Sequence, residues 1–189
     1  MLNIYIAGKI RQDRSLRQVV NCSVYSTEEY LNVKPVKIND YFIYVGPFVI
    51  GCDHGCYHGP HTHGVGTNKI GCGEEGIQEE TVYSQCVKQI ASCDIFLAWI
   101  DEPDCYGTLV ELGFASFARA FGKRVYIAFD YSSFADASDL DDFWFVRQFG
   151  QYLGLFGNIS LVLDRVKEIE IGRREVELGF DIDDILDNI

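Results

Sequence analysis

The sequence predicts an α/β three-layer sandwich, and three observations carry that prediction. Apolar runs of strand length recur at residues 2–8, 42–50, 94–100, 124–129 and 159–163. Stretches of helical character lie between most of them, and strands alternating with helices build a mainly parallel sheet covered on both faces. The chain has 189 residues, 48% of them apolar and 23% charged, which suits one globular domain with its own core. No internal repeat and no linker divides it, so residues 1–189 read as a single domain.

Taken in order, Leu2-Asn-Ile-Tyr-Ile-Ala-Gly8 forms the first strand and ends at a glycine. The polar, basic stretch Lys9-Ile-Arg11-Gln-Asp-Arg14 follows, and Ser15 to Tyr30 has helical character. A first strand opening through glycine into a helix is a usual phosphate or ribose site, because helix N–H groups point into it. Gly8 stands alone rather than in a Gly-x-Gly-x-x-Gly, so on this feature alone an ordinary turn is the better account. Residues 42–50 read as the second strand, with Pro47 marking an edge or an irregularity. Residues 76–92 form an amphipathic helix whose Tyr83, Cys86, Val87 and Ile90 fall at helical spacing and face the core.

The strand at 94–100 opens into a loop crowded with Asp101, Glu102 and Asp104. The chain turns at Gly107 and enters a helix over about 108–121 with Glu111 in its first turn. Strand, acidic loop and helix start place Glu111 at the crevice where open α/β sheets take their ligands. Thr108-x-x-Glu111 is also a capping box, in which the carboxylate only satisfies a backbone N–H and is favoured by the helix dipole. Crowded carboxylates repel one another and have no use in a purely structural loop, whereas nucleophilic and acid–base chemistry uses them. Leu112, Phe114, Ala115, Phe117, Ala118 and Phe121 make this helix apolar enough to predict deep packing. Gly122-Lys123 ends it, and Arg124 to Phe129 is the next strand. Residues 130–142 read as an acidic loop, 143–153 as an aromatic helix, and 159–163 as the last strand. From Asp164 the chain is charged and helical, with Gly172 and Gly179 interrupting it.

All four histidines lie within residues 54–63, in Cys52-Asp-His54-Gly-Cys56-Tyr-His58-Gly-Pro-His61-Thr-His63, and Cys72 follows. Three readings stay open. Cys and His at such spacings suit zinc, yet the pattern offers too many candidate ligands for a unique set of four. A glycine-rich loop whose histidines, His54 and His58 among them, donate to a bound phosphate or hydroxyl fits as well. So does a surface loop without a role.

The net charge of −12 argues against a nucleic-acid polymer as partner but not against a single small anion. No apolar run is long enough to cross a membrane, and the N-terminus lacks a basic signal region. The seven cysteines, an odd count with no secretion signal, read as reduced thiols of a cytoplasmic protein.

The stretch from Asp94 to Phe129 resembles the signature of the nucleoside 2-deoxyribosyltransferase family. The shared features are Asp94, the apolar strand, Asp104 in the acidic loop, Gly107-Thr108, Glu111-Leu-Gly-Phe-Ala115 and Gly122-Lys123. Tyr5-Ile-Ala-Gly8-Lys9-Ile-Arg11 is similar to the Tyr-x-x-Gly-Ser-Ile-Arg of that family's 2'-deoxynucleoside 5'-phosphate N-hydrolases, with Lys9 in place of serine. The resemblance implies a flavodoxin-like fold with a five-stranded, mainly parallel sheet. It also implies an enzyme that cleaves or transfers at the N-glycosidic bond of a (deoxy)nucleoside or its 5'-monophosphate.

In that pattern Glu111 attacks the anomeric carbon, Tyr5 touches Glu111, and Asp104 contacts the base. Gly8, Lys9 and Arg11 then lie near the sugar and its 5'-phosphate, and Gly107 and Thr108 line the substrate. One extra residue between Asp104 and Gly107 leaves Asp101 as a rival for the base. Cys86 stands where many family members carry an aspartate that binds the sugar or base. The implied chemistry uses no metal or other cofactor, the implied partner is a small nucleoside or nucleotide, and the relatives' habit implies a homo-oligomer. A transferase, an N-hydrolase without transfer, and a non-catalytic nucleotide-sensing module all remain compatible with the sequence.

Overall fold

The computed structural model describes residues 1–8, 27–48, 79–134 and 140–186. In chain order the elements are β1 (Leu2–Ala7), α1 (Thr27–Leu31), β2 (Val36–Lys37), β3 (Phe42–Gly46), α2 (Glu79–Ser92) and β4 (Ile95–Ile100). Then come α3 (Tyr106–Phe117), a 3-10 turn (Ala118–Phe121), β5 (Arg124–Asp130), a second 3-10 turn (Val146–Gln148), β6 (Gln151–Phe156) and α4 (Ile159–Leu186).

The six strands form one sheet in the order β2-β3-β1-β4-β5-β6. Every neighbouring pair is parallel except β2 with β3, where Val36 faces Tyr44. The sheet therefore has one strand more than expected. Two residues, one of them Lys37, carry no apolar run for a sequence reading to find. Without β2, the parallel strands run second, first, third, fourth, fifth in chain order, which is consistent with a flavodoxin-like α/β fold.

Successive side chains of a strand point to opposite faces, and the core divides accordingly. Ile4, Ile6, Ile95, Leu97, Trp99 and Tyr126 join Ile159, Val162, Leu163 and Val166 of α4 on one face. Tyr5, Phe96, Ala98, Ile100, Ile127 and Phe129 join Ile90 of α2 and Leu112 and Ala115 of α3 on the other. Burial on both faces is why β4 is unbroken in its apolar character, with all six residues buried.

Several expectations from the sequence are corrected. Residues 143–153 do not form a helix: they make turns and then enter β6 at Gln151. Residues 159–163 are not a strand but the start of α4, whose Ile159, Val162, Leu163 and Val166 are buried at helical spacing. Asn158 announces that helix, its Oδ1 accepting the Leu161 N–H at 3.1 Å. The strand was concealed because β6 is an edge strand with no fully buried residue, broken by Gly154 at φ 118°. Gly172 and Gly179 do not interrupt α4, which runs through both.

A further correction concerns α3. Thr108, Leu112 and Ala115 are buried, but Phe117 and Phe121 are 74% and 79% exposed. Among the described residues this helix is packed on one side only, and on α2 Tyr83, expected in the core, is exposed while Ile90 is buried.

Candidate active site

β1 and β4 are neighbours at the centre of the sheet, and the chain leaves them for opposite edges, β1 towards β3 and β4 towards β5. That switch opens a crevice beyond the carboxyl ends of the two strands. Gly8 follows β1 there and is half-buried, and Asp101 follows β4 with 2% exposure.

The acidic loop is short because α3 starts at Tyr106, two residues earlier than the sequence suggested. Cys105 is the N-cap residue and makes no side-chain capping bond, and the Tyr106 N–H donates to the Asp104 carbonyl at 2.9 Å. Thr108 is therefore the third helical residue and Glu111 lies in the second turn, so the capping box does not form and the first turn holds no acidic residue. Gly107 lies inside that first turn, where an added Cβ meets nothing within 4 Å, so the turn does not require glycine. The expected help from the helix dipole fades beyond the first turn.

Thr108, Glu111, Leu112 and Ala115 recur at i, i+3, i+4 and i+7, so Glu111 occupies the sheet-facing stripe of α3. There Oε1 accepts a hydrogen bond from the Tyr5 hydroxyl at 2.6 Å, across 106 positions of sequence. The Tyr5 ring is fixed by stacking on Phe96, centroids 5.6 Å apart and planes within 11°. Gly46 ends β3 at φ 147°, and a Cβ there would come 2.1 Å from Gln89 Oε1 and 3.1 Å from the Tyr5 ring. Only glycine lets Gln89 and Tyr5 keep these places.

Burial pushes the Glu111 carboxyl up from 4.5 to about 7, against hydrogen bonds from Tyr5 and Cys86 that lower it. The Tyr5 hydroxyl is held well above its ordinary range by burial and then by the charge of Glu111. Burial, followed by the charge of Glu111, raises the Cys86 thiol to about 11. Tyr30 is raised as well, by burial first and by its contact with Cys86 second. Four elements thus converge: Tyr5 from β1, Tyr30 from α1, Cys86 from α2 and Glu111 from α3.

Of the residues singled out in sequence, Tyr5 and Glu111 are brought into direct contact. Cys86, marked only as a departure from a family pattern, belongs to the same cluster. Tyr30 was missed, since a tyrosine near the end of a short helix carries no distinguishing signal. Asp104 is exposed in the loop while Asp101 is buried at the strand end. Lys9, Arg11, His54 and His58 lie outside the described residues, as does the whole Cys/His segment. Among the described residues no group of three or more His, Cys, Asp or Glu is arranged to hold a metal ion, and no helix is long and apolar enough to cross a membrane.

No family model, curated protein or solved structure matches the chain. The chemistry must be argued from the cluster itself. A carboxylate poised near neutral pH and held by a phenol and a thiol suits a nucleophile or a general acid–base group.

Proposed function

We propose that this chain is an enzyme acting at the N-glycosidic bond of a (deoxy)nucleoside or its 5'-monophosphate, with Glu111 as the group that takes the sugar. The observation that carries this reading is the 2.6 Å hydrogen bond from Tyr5 to Glu111. These are the two residues that the transferase-family resemblance pairs. In the first step an oxygen of ionised Glu111 forms a bond to C1' as the C1'–N bond breaks. The electron pair leaves on the base nitrogen, which takes a proton from an acid in the loop. Asp104, exposed, is reachable by a substrate's base, and Asp101 at the end of β4 is its rival. Water or a second base then attacks C1' and releases Glu111, the logic of a retaining glycosidase.

Tyr5 donates to Oε1 and, with Cys86, favours the ionised form that attacks. Gly8 gives the sugar room at the end of β1, Thr108 and Gly107 border it from α3, and Lys9 and Arg11 pair with a 5'-phosphate in this reading. In this reading His54 and His58, outside the described residues, donate to a bound phosphate or hydroxyl. The flavodoxin-like arrangement supports the reading because its crevice is the usual ligand position. We place the protein in the cytoplasm, in keeping with the free thiols of Cys86, Cys93 and Cys105.

We also propose a homo-oligomer. Tyr106, Val110, Phe114, Phe117 and Phe121 form an uncharged stripe along the outer side of α3 and its 3-10 extension. Two acidic copies can meet on such a face with little charge repulsion.

A second reading keeps Glu111 as a general acid–base group with no covalent intermediate, and its rise to about 7 favours that. The deciding experiment is chromatography of free base after incubation with deoxynucleosides and their 5'-monophosphates, with and without an acceptor base. Exchange between nucleosides marks a transferase, and release from monophosphates alone marks a nucleotide N-hydrolase. Trapping of a glycosyl ester on Glu111 by mass spectrometry separates the covalent route from the acid–base route. No release from any substrate would overturn the catalytic proposal and leave a nucleotide-sensing module.

A further inference from the structure

The opposite end of the sheet carries a second charged feature. At the N-terminal ends of β5 and β6 a concavity of about 240 Å³ is lined by Arg119, Lys123, Arg124 and Arg173, with Tyr126 and Gln151 beside them. Four of the chain's 16 basic residues thus surround one small space in a protein of net charge −12. None of the residues lining it is acidic. One carboxylate stands behind the wall: Glu170, 2% exposed, accepts hydrogen bonds from Arg124 and from the Tyr126 hydroxyl, each at 2.5 Å.

The other described contacts hold the cations in place without neutralising them. Arg119 Nη1 donates to the Gln148 carbonyl at 3.2 Å, and Lys123 Nζ donates to the carbonyls of Ala91 and Cys93. Carbonyls carry no net charge, so among the described residues the four cations have two carboxylates near them, Glu170 behind the wall and Asp94 in the adjoining concavity that Lys123 and Arg124 also line. A guanidinium has five N–H donors, and these side-chain bonds of Arg119 and Arg124 use one nitrogen each. Like charges gathered in this way repel unless an anion lies among them, and guanidinium forks match phosphate oxygens two at a time.

We propose that this concavity is a binding site for a phosphate-class anion: inorganic phosphate, pyrophosphate or the phosphate group of a small monoester. The space is too small for a large ligand, and the acidic surface of the whole chain disfavours a nucleic-acid polymer. The site lies at the other end of the strands from Gly8 and the Tyr5–Glu111 pair, roughly 20 Å away by the length of a seven-residue strand such as β5.

The test is isothermal titration of inorganic phosphate at low ionic strength into the wild type, Arg119→Gln/Arg173→Gln and Arg11→Ala. These glutamines leave the Arg124–Glu170 pair untouched. The expected result is saturable binding that weakens at least tenfold in the double variant and persists in Arg11→Ala. A phosphate-dependent rise in unfolding temperature, absent from the double variant, gives a second readout. If the double variant no longer unfolds cooperatively, the two single variants are titrated instead and each must weaken binding. Pyrophosphate and a simple phosphomonoester titrated in parallel rank the members of the class. No saturable binding by the wild type, equal binding by the double variant, or loss only in Arg11→Ala would each overturn the proposal. It stands or falls apart from the glycosidic chemistry, since no substrate turnover enters the measurement.

Discussion

Replacing Glu111 by glutamine should stabilise the protein, and should do so only when the pH is high enough to ionise the wild-type group. The Glu111 carboxyl rises from 4.5 to about 7 on folding because burial disfavours its charge. Between those two pH values the unfolded chain has lost its proton while the folded chain keeps it. Stability therefore falls as pH rises through this window, and the loss is complete above about pH 7. A shift of that size corresponds to about 3 kcal/mol at full burial. Glu111 is only partly buried, so water and local relaxation reduce the cost to about 1–3 kcal/mol. For a chain of this length that is roughly 3–9 °C in melting temperature.

Glutamine keeps the shape and the acceptor for Tyr5 but never ionises. Its melting temperature should exceed that of the wild type at pH 8.5 and match it at pH 4, by calorimetry at a series of pH values. The capping-box reading predicts a different sign. A lost helix cap costs about 1 kcal/mol, so the variant would be the weaker protein at neutral pH. A variant that is less stable at pH 8.5, or a difference independent of pH, would refute the argument from desolvation.

Tyr5→Phe removes a charge-assisted hydrogen bond that lowers the Glu111 pKa, and such bonds contribute about 1.5–3 kcal/mol. The pH at which base release is half-maximal should move up by about 1–2 units; an unmoved profile would mean that Glu111 does not set the rate. Arg11→Ala should lower kcat/KM for 5'-monophosphates at least tenfold while sparing nucleosides, and equal losses would remove the phosphate role. Phe117→Glu/Phe121→Glu should sediment as monomer where the wild type is an oligomer; an unchanged assembly would put the interface elsewhere. Metal analysis of untagged protein should find well under one zinc per chain, and one per chain would make the Cys52–Cys72 segment a metal site.

Much of the fold was legible because parallel strands buried on both faces leave unbroken apolar runs. Residues 2–7, 42–46, 95–100 and 124–130 were all found for that reason. The C-terminal part was misread because a run such as Ile159-Ser-Leu-Val-Leu163 satisfies either period. It was settled by packing, since those residues face the sheet from α4. The edge strand β6, half in solvent, carried no comparable signal. The outer aromatics of α3 were read as core because hydrophobicity alone does not tell a buried helix face from one left uncovered by the described residues.

The site shows how a local motif can mislead where a longer period would have served. Thr108-x-x-Glu111 looks like a cap because three residues separate its members. The same residues, with Leu112 and Ala115, also mark the buried stripe of a helix that begins earlier. In the first case Glu111 sits at a solvated terminus and is stabilising. In the second it is a carboxylate at a core-facing position, held by Tyr5 and Cys86 and costly to ionise. A fold gains nothing from such a group when any apolar residue of similar size would pack there. Perturbed carboxylates in this setting concentrate where chemistry is done. Cys86 sharpens the point. An aspartate at that position would place a second carboxylate against Glu111 and raise its pKa further. The thiol instead donates to Glu111 and lowers it, so this chain keeps its one carboxylate available near neutral pH. If Glu111 takes a sugar as proposed, the contact that the resembling family draws from its aspartate must come from another group here, and the substrate range should depart from that family's at that point.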